Sequence, residues 1–451
     1  MNSENKQPLL DAKAIWQAGV DAVRSDTLVI DHVHCDGNWL TIGDQLPIDL
    51  NAIRRIAVVG AGKAGLGMAM GLEAALADCC EQKQLTGWIN VPADCVQTLD
   101  YVQLHAARPA GLNEPTEEGV RGTERILQIV SELGPGDLCF CLISGGGSAL
   151  LPAPAVGVTL QQKQQITQFL SASGANIQEL NTVRKQLSRV KGGRLAAACN
   201  AGLLSTLIIS DVIGDPLDVI ASGPTVADSS TPTDAIHVLN HFAADQNDVP
   251  PTIFEYLKNA PAQPIQSKCK LTHLVIGNNA SAVDAAGVEA EKRGYSHAMV
   301  AASNLEGAAE EVGLHLLNMA RQMAGDPNGP DCLISGGEPI VKLVPAERRG
   351  KGGRNQQLVL AALCDAISDS GPLERVTILA AGTDGEDGPT DAAGAWIDGR
   401  VVATIRERDM DPQSYLDRND AYHLFAQTGS LLITGPTNTN VCDLRVVVIE
   451  R

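Results

Sequence analysis

Aromatic residues make up only 3% of this 451-residue chain, so its cores must be built from aliphatic side chains. Basic residues are also scarce: 34 Lys and Arg stand against 53 Asp and Glu, a formal net charge of −19. A protein that grips a phosphate backbone carries the opposite sign, so nucleic acid is not expected as a partner. No apolar run reaches the roughly 20 residues needed to cross a bilayer, and no membrane partner is expected. The opening Met1-Asn-Ser-Glu-Asn-Lys-Gln lacks the charged-then-apolar layout of a secretory leader. The cysteines form no C-x-x-C pair and no Cys/His cluster with zinc spacing, which predicts free thiols in a reducing cytoplasm. A Walker A sequence is missing too; Gly350-Lys351 is followed by Gly352. There is no G-x-S-x-G elbow, no EF-hand spacing, and no histidine inside a glycine loop.

What is present is glycine, 44 residues of it, much of it clustered beside polar residues. Such clusters read as loops whose backbone approaches a ligand. Residues 9–24 predict an amphipathic helix, with Ala12, Ile15, Trp16, Val20 and Val23 on one face. Beyond it, short β-rich runs alternate with helical stretches. The strand candidates are 56–60, 138–143, 206–210, 273–276, 298–301, 332–334, 376–381, 431–434 and 444–449. This alternation predicts an α/β protein with mainly parallel sheet. Residues 226–268 are richer in Pro, Asp and Ser, which places a domain boundary near 262–270. Leu-Ile-Ser-Gly-Gly occurs at 142–146 and again at 333–337, and suggests that each half ends a strand in a similar glycine turn.

Ligands of open α/β sheets sit beyond the C-terminal ends of the strands, where most of the polar motifs here fall. Gly60-x-Gly62-x-x-Gly65 satisfies the dinucleotide fingerprint, and its glycines also suit a phosphate or a purely structural strand–helix turn. Lys63 inside that loop suits a phosphoryl group or a carboxylate better than a plain NAD site. The ribose-binding acid of an NAD site would have to be Asp94, which is offset from the usual position. Ser144-Gly145-Gly146-Gly147-Ser148 and Ser335-Gly336-Gly337-Glu338 are further candidates for nucleotide or phosphate contacts. Arg184, Lys185, Lys191 and Arg194 read either as a solvated helix face or as a positive wall toward an anion, with Arg184 and Lys191 as substrate-binding candidates. In Arg348-Arg349-Gly-Lys351-Gly-Gly-Arg354-Asn355, glycines flank the cations, so Arg354 could be presented to a transferring phosphoryl group. Asp211, Asp215 and Asp384 follow strands, where carboxylates can hold Mg²⁺ or accept a hydroxyl proton. Together these residues favour phosphoryl transfer to a small anion.

These motifs, running in order from about residue 56 to the C-terminus, resemble those of the class II glycerate kinases, the family with a C-terminal MOFRL domain. The most specific stretches are Gly60–Gly65, Leu142–Leu151, Asn181–Ser188, Val190–Arg194, Ser210–Thr225, Gly352–Gln356, Gly382–Gly394 and Thr434–Thr437. The resemblance implies ATP-dependent phosphorylation of D-glycerate at its 2-hydroxyl, with Mg²⁺. It implies two α/β domains, a Rossmann-like one over 1–262 and a MOFRL-type one over 270–451, with the active site in the cleft between them. It leaves a homo-oligomer open. By position it gives catalytic roles to Lys63, Asp211 and Arg354, and it puts Asn355 at the substrate. Arg108-Pro109 departs from a His-Pro common in the family, which bears on acid specificity if that loop meets the substrate. Some relatives have been called hydroxypyruvate reductases, so an oxidoreductase stands as the alternative, with a non-catalytic nucleotide sensor as a third class.

Overall fold

The computed structural model describes residues 7–243, 248–261, 266–304, 306–368 and 375–451. The first six residues, on which the leader expectation rests, lie outside these, as do 262–265 of the expected boundary. The strands, in chain order, are β1 (Val33–Asp36), β2 (Trp39–Ile42), β3 (Ile48–Asp49), β4 (Ile56–Ala61), β5 (Thr86–Pro92), β6 (Val102–Arg108), β7 (Leu138–Ile143), β8 (Leu203–Ile209), β9 (Lys270–Gly277), β10 (His297–Val300), β11 (Cys332–Gly337), β12 (Val376–Gly382), β13 (Gly394–Ile397), β14 (Leu431–Leu432) and β15 (Asp443–Ile449). The chain folds as two compact units, Ser25–Ile276 and Met1–Arg24 with Gly277–Arg451.

In the Ser25–Ile276 unit a six-stranded sheet runs β6-β5-β4-β7-β8-β9. Its pairings from β6 through β8 are parallel. Counting β4 as the first strand, the order is that of a doubly wound dinucleotide-binding sheet, and it reverses between β4 and β7. β4 and β7 are buried at every position, which explains their unbroken apolar runs. A small antiparallel sheet, β1-β2-β3, stands apart. Four helices, Leu160–Ala172, Ile177–Gln186, Pro232–Phe242 and Pro251–Asn259, share a separate core that includes Leu170, Val183, Leu239 and Ile253. The first two start with capping boxes, Thr159 with Gln162 and Asn176 with Glu179, so sequence alone sets where they begin.

The other unit departs from the expected mainly parallel sheet. Its order is β10-β11-β15-β12-β13-β14. Only β10 and β11 pair in parallel; the remaining pairings are antiparallel. The domain limits 1–262 and 270–451 are corrected as well. The opening helix, Pro8–Ala22, belongs with the C-terminal strands, because Ala12, Ile15, Trp16 and Val20 join the core that contains Val283, Ala286 and Leu444. Gly19 allows that contact, since a methyl group there would lie 2.8 Å from the Ala282 carbonyl oxygen. Asp11 fixes the helix further, accepting hydrogen bonds from Arg293 Nη1 and Tyr295 Oη, each at 2.8 Å. At the other limit, β9 completes the first sheet, so the division falls at Gly277.

Candidate functional site

In the parallel unit, the turn after β4 and the turn after β7 are stitched together at the point where strand order reverses. Lys63 N–H donates to the Gly145 carbonyl at 2.8 Å, and Ser144 N–H to that of Ala61 at 3.2 Å. Ser144 Oγ accepts the Ala64 N–H at 3.0 Å, so this hydroxyl, 1% exposed, joins one turn to the other. The glycine fingerprint is demanded by that closeness. A side chain at Gly60 would overlap the Leu142 carbonyl, and one at Gly65 would lie 2.9 Å from both Ile89 and Val91. Gly62 has φ +155°, and a methyl group on it would run into Ser144. The tight turn leaves Lys63 half-buried at the sheet edge. Its Cγ and the Arg108 guanidinium lie 3.5 and 3.4 Å from where a Cβ on Gly146 would stand, which brings the family-divergent Arg108 to this same turn.

Ser148 is the hub of the next group. Its Oγ accepts from Lys191 Nζ at 2.6 Å and from Arg184 Nη2 at 2.5 Å. It lies 3.1 Å from Ser222 Oγ, which in turn donates to Asn181 Oδ1 at 3.0 Å. Lys191 Nζ also reaches the carbonyl oxygens of Ser148 (3.0 Å) and Ala221 (3.3 Å). These contacts hold an unusual backbone: Ala221, Ser222 and Gly223 are left-handed in succession, with φ of 49°, 61° and 58°. Non-glycine residues in that region carry strain, which gathers at functional sites.

The cations of 184–194 are therefore not a solvated face. Lys191 is only 2% exposed. Lys185 meets carboxylates, Asp228 at 3.3 Å and Asp218 at 3.4 Å, and Arg189 pairs with Glu124. Arg184, Lys191 and Arg194 donate to neutral oxygens, those of Arg194 being the Lys191 carbonyl and Gln186 Oε1. Burial, then the charges of Arg184 and Lys163, push the Lys191 ammonium well below its ordinary range. Burial lowers Arg184 in the same sense. Such crowding of like charge disfavours the charged forms, and a nearby anion would favour them.

Asp211 and Asp215 fall in the turn after β8, both half-buried, with Asp215 left-handed at φ 52°. β4, β7 and β8 are neighbours, so Lys63, Ser148 and Asp211 follow the C-terminal ends of three adjacent strands.

In the mixed unit, Arg354 opens the helix Arg354–Ser368. Its Nε and Nη2 donate to the two carboxylate oxygens of Asp443 at 2.7 and 2.9 Å, and Nη1 donates to Glu338 at 2.9 Å. Burial works against the guanidinium charge, but Asp443 and Glu338 more than offset it and hold Arg354 above its ordinary range. Asp387 accepts the N–H groups of Asn355 (3.0 Å) and Gln356 (2.8 Å), capping the same helix. Asn355, expected at the substrate, is 1% exposed and turns its amide toward Asp387 at 3.4 Å. Asp384 accepts the Glu386 N–H at 3.1 Å. The expected second glycine turn is absent: β11 runs through Ser335 and Gly336 to Gly337, which pairs with Asp443. These glycines make room for Asn279 and Glu306.

Sequence reasoning took Asp387 only as one of the acids after the strand 376–381, not as a helix cap, and it missed Asp443, Ser222 and Lys163. The last did leave a trace. Leu160, Lys163, Ile166 and Leu170 form the buried face of their helix, and a lysine on such a face asks for an explanation. Asp443 left none, since its partner is 89 residues away.

Among the described residues, no group of three or more His, Cys, Asp or Glu is placed to hold a metal ion, and no helix is long and apolar enough to cross a membrane. None of the eleven cysteines is in a disulfide.

Residues 11–258 match the domain of unknown function DUF4147, and residues 331–443 match the MOFRL family. The chain is 36% identical to a Rattus norvegicus protein named glycerate kinase, over 97% of this chain and 92% of that one. It is 40% identical to a Thermotoga maritima protein named D-glycerate 2-kinase, over 75% of this chain and 79% of that one. A crystal structure of a Thermotoga maritima glycerate kinase superposes with a TM-score of 0.80 at 33% identity, covering 98% of this chain and 99% of that one.

Proposed function

Since this chain belongs to the family of DUF4147–MOFRL proteins that contains the glycerate kinases, we infer that it transfers the γ-phosphoryl group of ATP to the 2-hydroxyl of D-glycerate. The observation that carries this reading is the group of buried cations around Ser148, bonded to neutral oxygens in a protein of net charge −19. Two anions must be brought together for this reaction, and fixed positive charge is what overcomes their repulsion.

The glycerate 2-oxygen forms a bond to the γ-phosphorus while the bond from γ-phosphorus to the bridging oxygen breaks. ADP leaves, and the hydroxyl proton is released. We assign Lys63 to the charge on the transferring phosphoryl group. Arg184 and Lys191 bind substrate oxyanions, and the turns Gly60–Gly65 and Ser144–Ser148 shape the phosphate site. Asp211 orients the hydroxyl and accepts its proton. Arg354 supplies a cation to a substrate oxyanion, aimed by Asp443 and Glu338, and Asn355 helps to seat its helix. Catalysis of this kind is positioning plus electrostatics.

Mg²⁺ takes one or two carboxylates and completes its shell with water and phosphate oxygens, a demand that half-buried Asp211 and Asp215 fit. It would offset phosphate charge there. Asp384, which accepts the Glu386 N–H, is a further candidate. The unbridged cysteines fit the cytoplasm as the site of action.

Two assays in parallel test the reading. In one, D-glycerate, ATP and Mg²⁺ are followed by ADP release and identification of the phosphoglycerate isomer; 2-phosphoglycerate is expected. In the other, hydroxypyruvate is mixed with NADH or NADPH. Cofactor oxidation there without ADP release in the first assay would replace the kinase with the oxidoreductase.

A further inference from the structure

Lys163 lies on the helix Leu160–Ala172 and is 8% exposed, yet its Nζ has no hydrogen-bond partner among the described residues. Its helix packs on Ile177–Gln186, which carries Arg184. The charges acting on it are those of Arg184 and Arg194, and it acts in turn on Lys191. Arg184 and Lys191 both bond Ser148 Oγ, so Lys163 belongs to the same neighbourhood.

A core lysine normally finds a carboxylate or several carbonyls. This protein is rich in acids, and Lys185, on the adjoining helix, has two of them. The lack of an acceptor at Lys163 is therefore local. An ammonium held away from water among three other cations is stabilised once an anion fills the space they share.

We propose that Lys163 is a substrate-binding residue whose ammonium, together with Arg184 and Lys191, receives an oxyanion: the carboxylate of the hydroxy acid or a phosphate of the nucleotide. The identity of that oxyanion rests on the kinase reading; its presence does not. Binding then also moves a proton. Burial, then Arg184 and Arg194, bring the empty site's ammonium down to about 7, and a bound anion raises it again. The charged groups around it are Arg184, Lys191 and Arg194; Tyr256 and Asp228 act on Arg194.

The test is calorimetric titration of the full chain at pH 7 with D-glycerate and, separately, with adenylyl imidodiphosphate. Each titration is run in two buffers of different ionisation heat, for wild type, Lys163→Met and Lys163→Arg. For one ligand, Lys163→Met is expected to raise Kd about 10-fold to 100-fold and to reduce proton uptake, leaving only the share that Lys191 takes up. Lys163→Arg should keep most of the affinity and show the same reduced uptake, because arginine does not titrate. An effect on D-glycerate identifies the carboxylate, and an effect on the analogue identifies a phosphate. If neither Kd moves and proton uptake in Lys163→Arg is undiminished from wild type, the proposal is overturned. Should Lys163→Met fail to fold, the arginine variant decides alone. Wild-type turnover with both titrations unaffected would remove Lys163 and leave the kinase standing. Lys163-dependent binding without turnover would do the reverse.

Discussion

Replacing Asp443 by Asn should disarm Arg354 from behind. Asp443 is wholly buried and takes two hydrogen bonds from the guanidinium, at 2.7 and 2.9 Å. Asn keeps the shape but offers one acceptor oxygen, so its NH₂ group would face an N–H of Arg354. Removing one partner of a buried ion pair costs about 3–5 kcal/mol. Arg354 is a third exposed and keeps Glu338 at 2.9 Å, so water and the second carboxylate recover part of that. A net loss of about 2–3 kcal/mol remains. At roughly 2–4 °C per kcal/mol for a unit of this size, melting should fall by about 5–10 °C. The guanidinium then swings toward Glu338, and kcat/KM for glycerate phosphorylation should drop about 10-fold to 100-fold. Thermal unfolding and ADP release measure the two effects on one preparation. A variant that melts within about 2 °C of wild type and keeps its kcat/KM would refute the view that Asp443 holds Arg354 in place.

Lys63→Ala should lower kcat about 100-fold to 1,000-fold with an unchanged melting temperature, and near-normal turnover would remove Lys63 from the chemistry. Gly62→Ala adds a methyl group 2.8 Å from the Ser144 N–H at φ +155°; a loss of about 2 kcal/mol or more is expected by urea unfolding, and a neutral result would contradict the close packing of the two turns. Lys163→Met should stabilise the ligand-free protein. The lysine titrates at about 7 when folded against its ordinary 10.5, so its contribution is intact above pH 10.5 and is lost as pH falls through 7. The variant should therefore exceed wild type by about 4–5 kcal/mol at pH 6, with the gap closing toward pH 10. Parallel stability curves would sink this account of the buried ammonium.

The strands β4, β7, β8, β11, β12 and β15 were legible because they are buried on both faces. Runs such as Leu138–Ile143 have no reason to alternate and stand out as unbroken apolar stretches. β5 and β6 were not, since toward the sheet edge β6 reads Val-Gln-Leu-His-Ala-Ala-Arg with its burial broken. The site was legible wherever a motif is local. Lys63, Ser148, Lys191 and Asp211 announce themselves within a few residues of a glycine or a strand end and Arg184 in a cluster of cations, and Lys63, Ser148 and Asp211 follow the ends of three adjacent strands. The repeated Leu-Ile-Ser-Gly-Gly misled, because the same five residues end a strand at 143 and continue one at 333–337. What decides between those outcomes is the partner strand: β15 pairs with Ser335, Gly336 and Gly337, whereas β4 pairs with β7 only as far as Ile143.

The sequence by itself determined the alternation of elements, the glycine turns after β4 and β7 and the charge of the loops that follow the strands. Each of these is set by neighbours in the chain, through φ restrictions, caps and hydrophobic period. Only the tertiary structure decided that the opening helix joins the C-terminal core, that the second sheet is mixed with mostly antiparallel pairings, that Lys185 is neutralised while Lys163 is not, and that Asp443 aims Arg354. Burial and ion pairing depend on residues tens to hundreds of positions apart, and the pattern around any one of them carries no record of its partner.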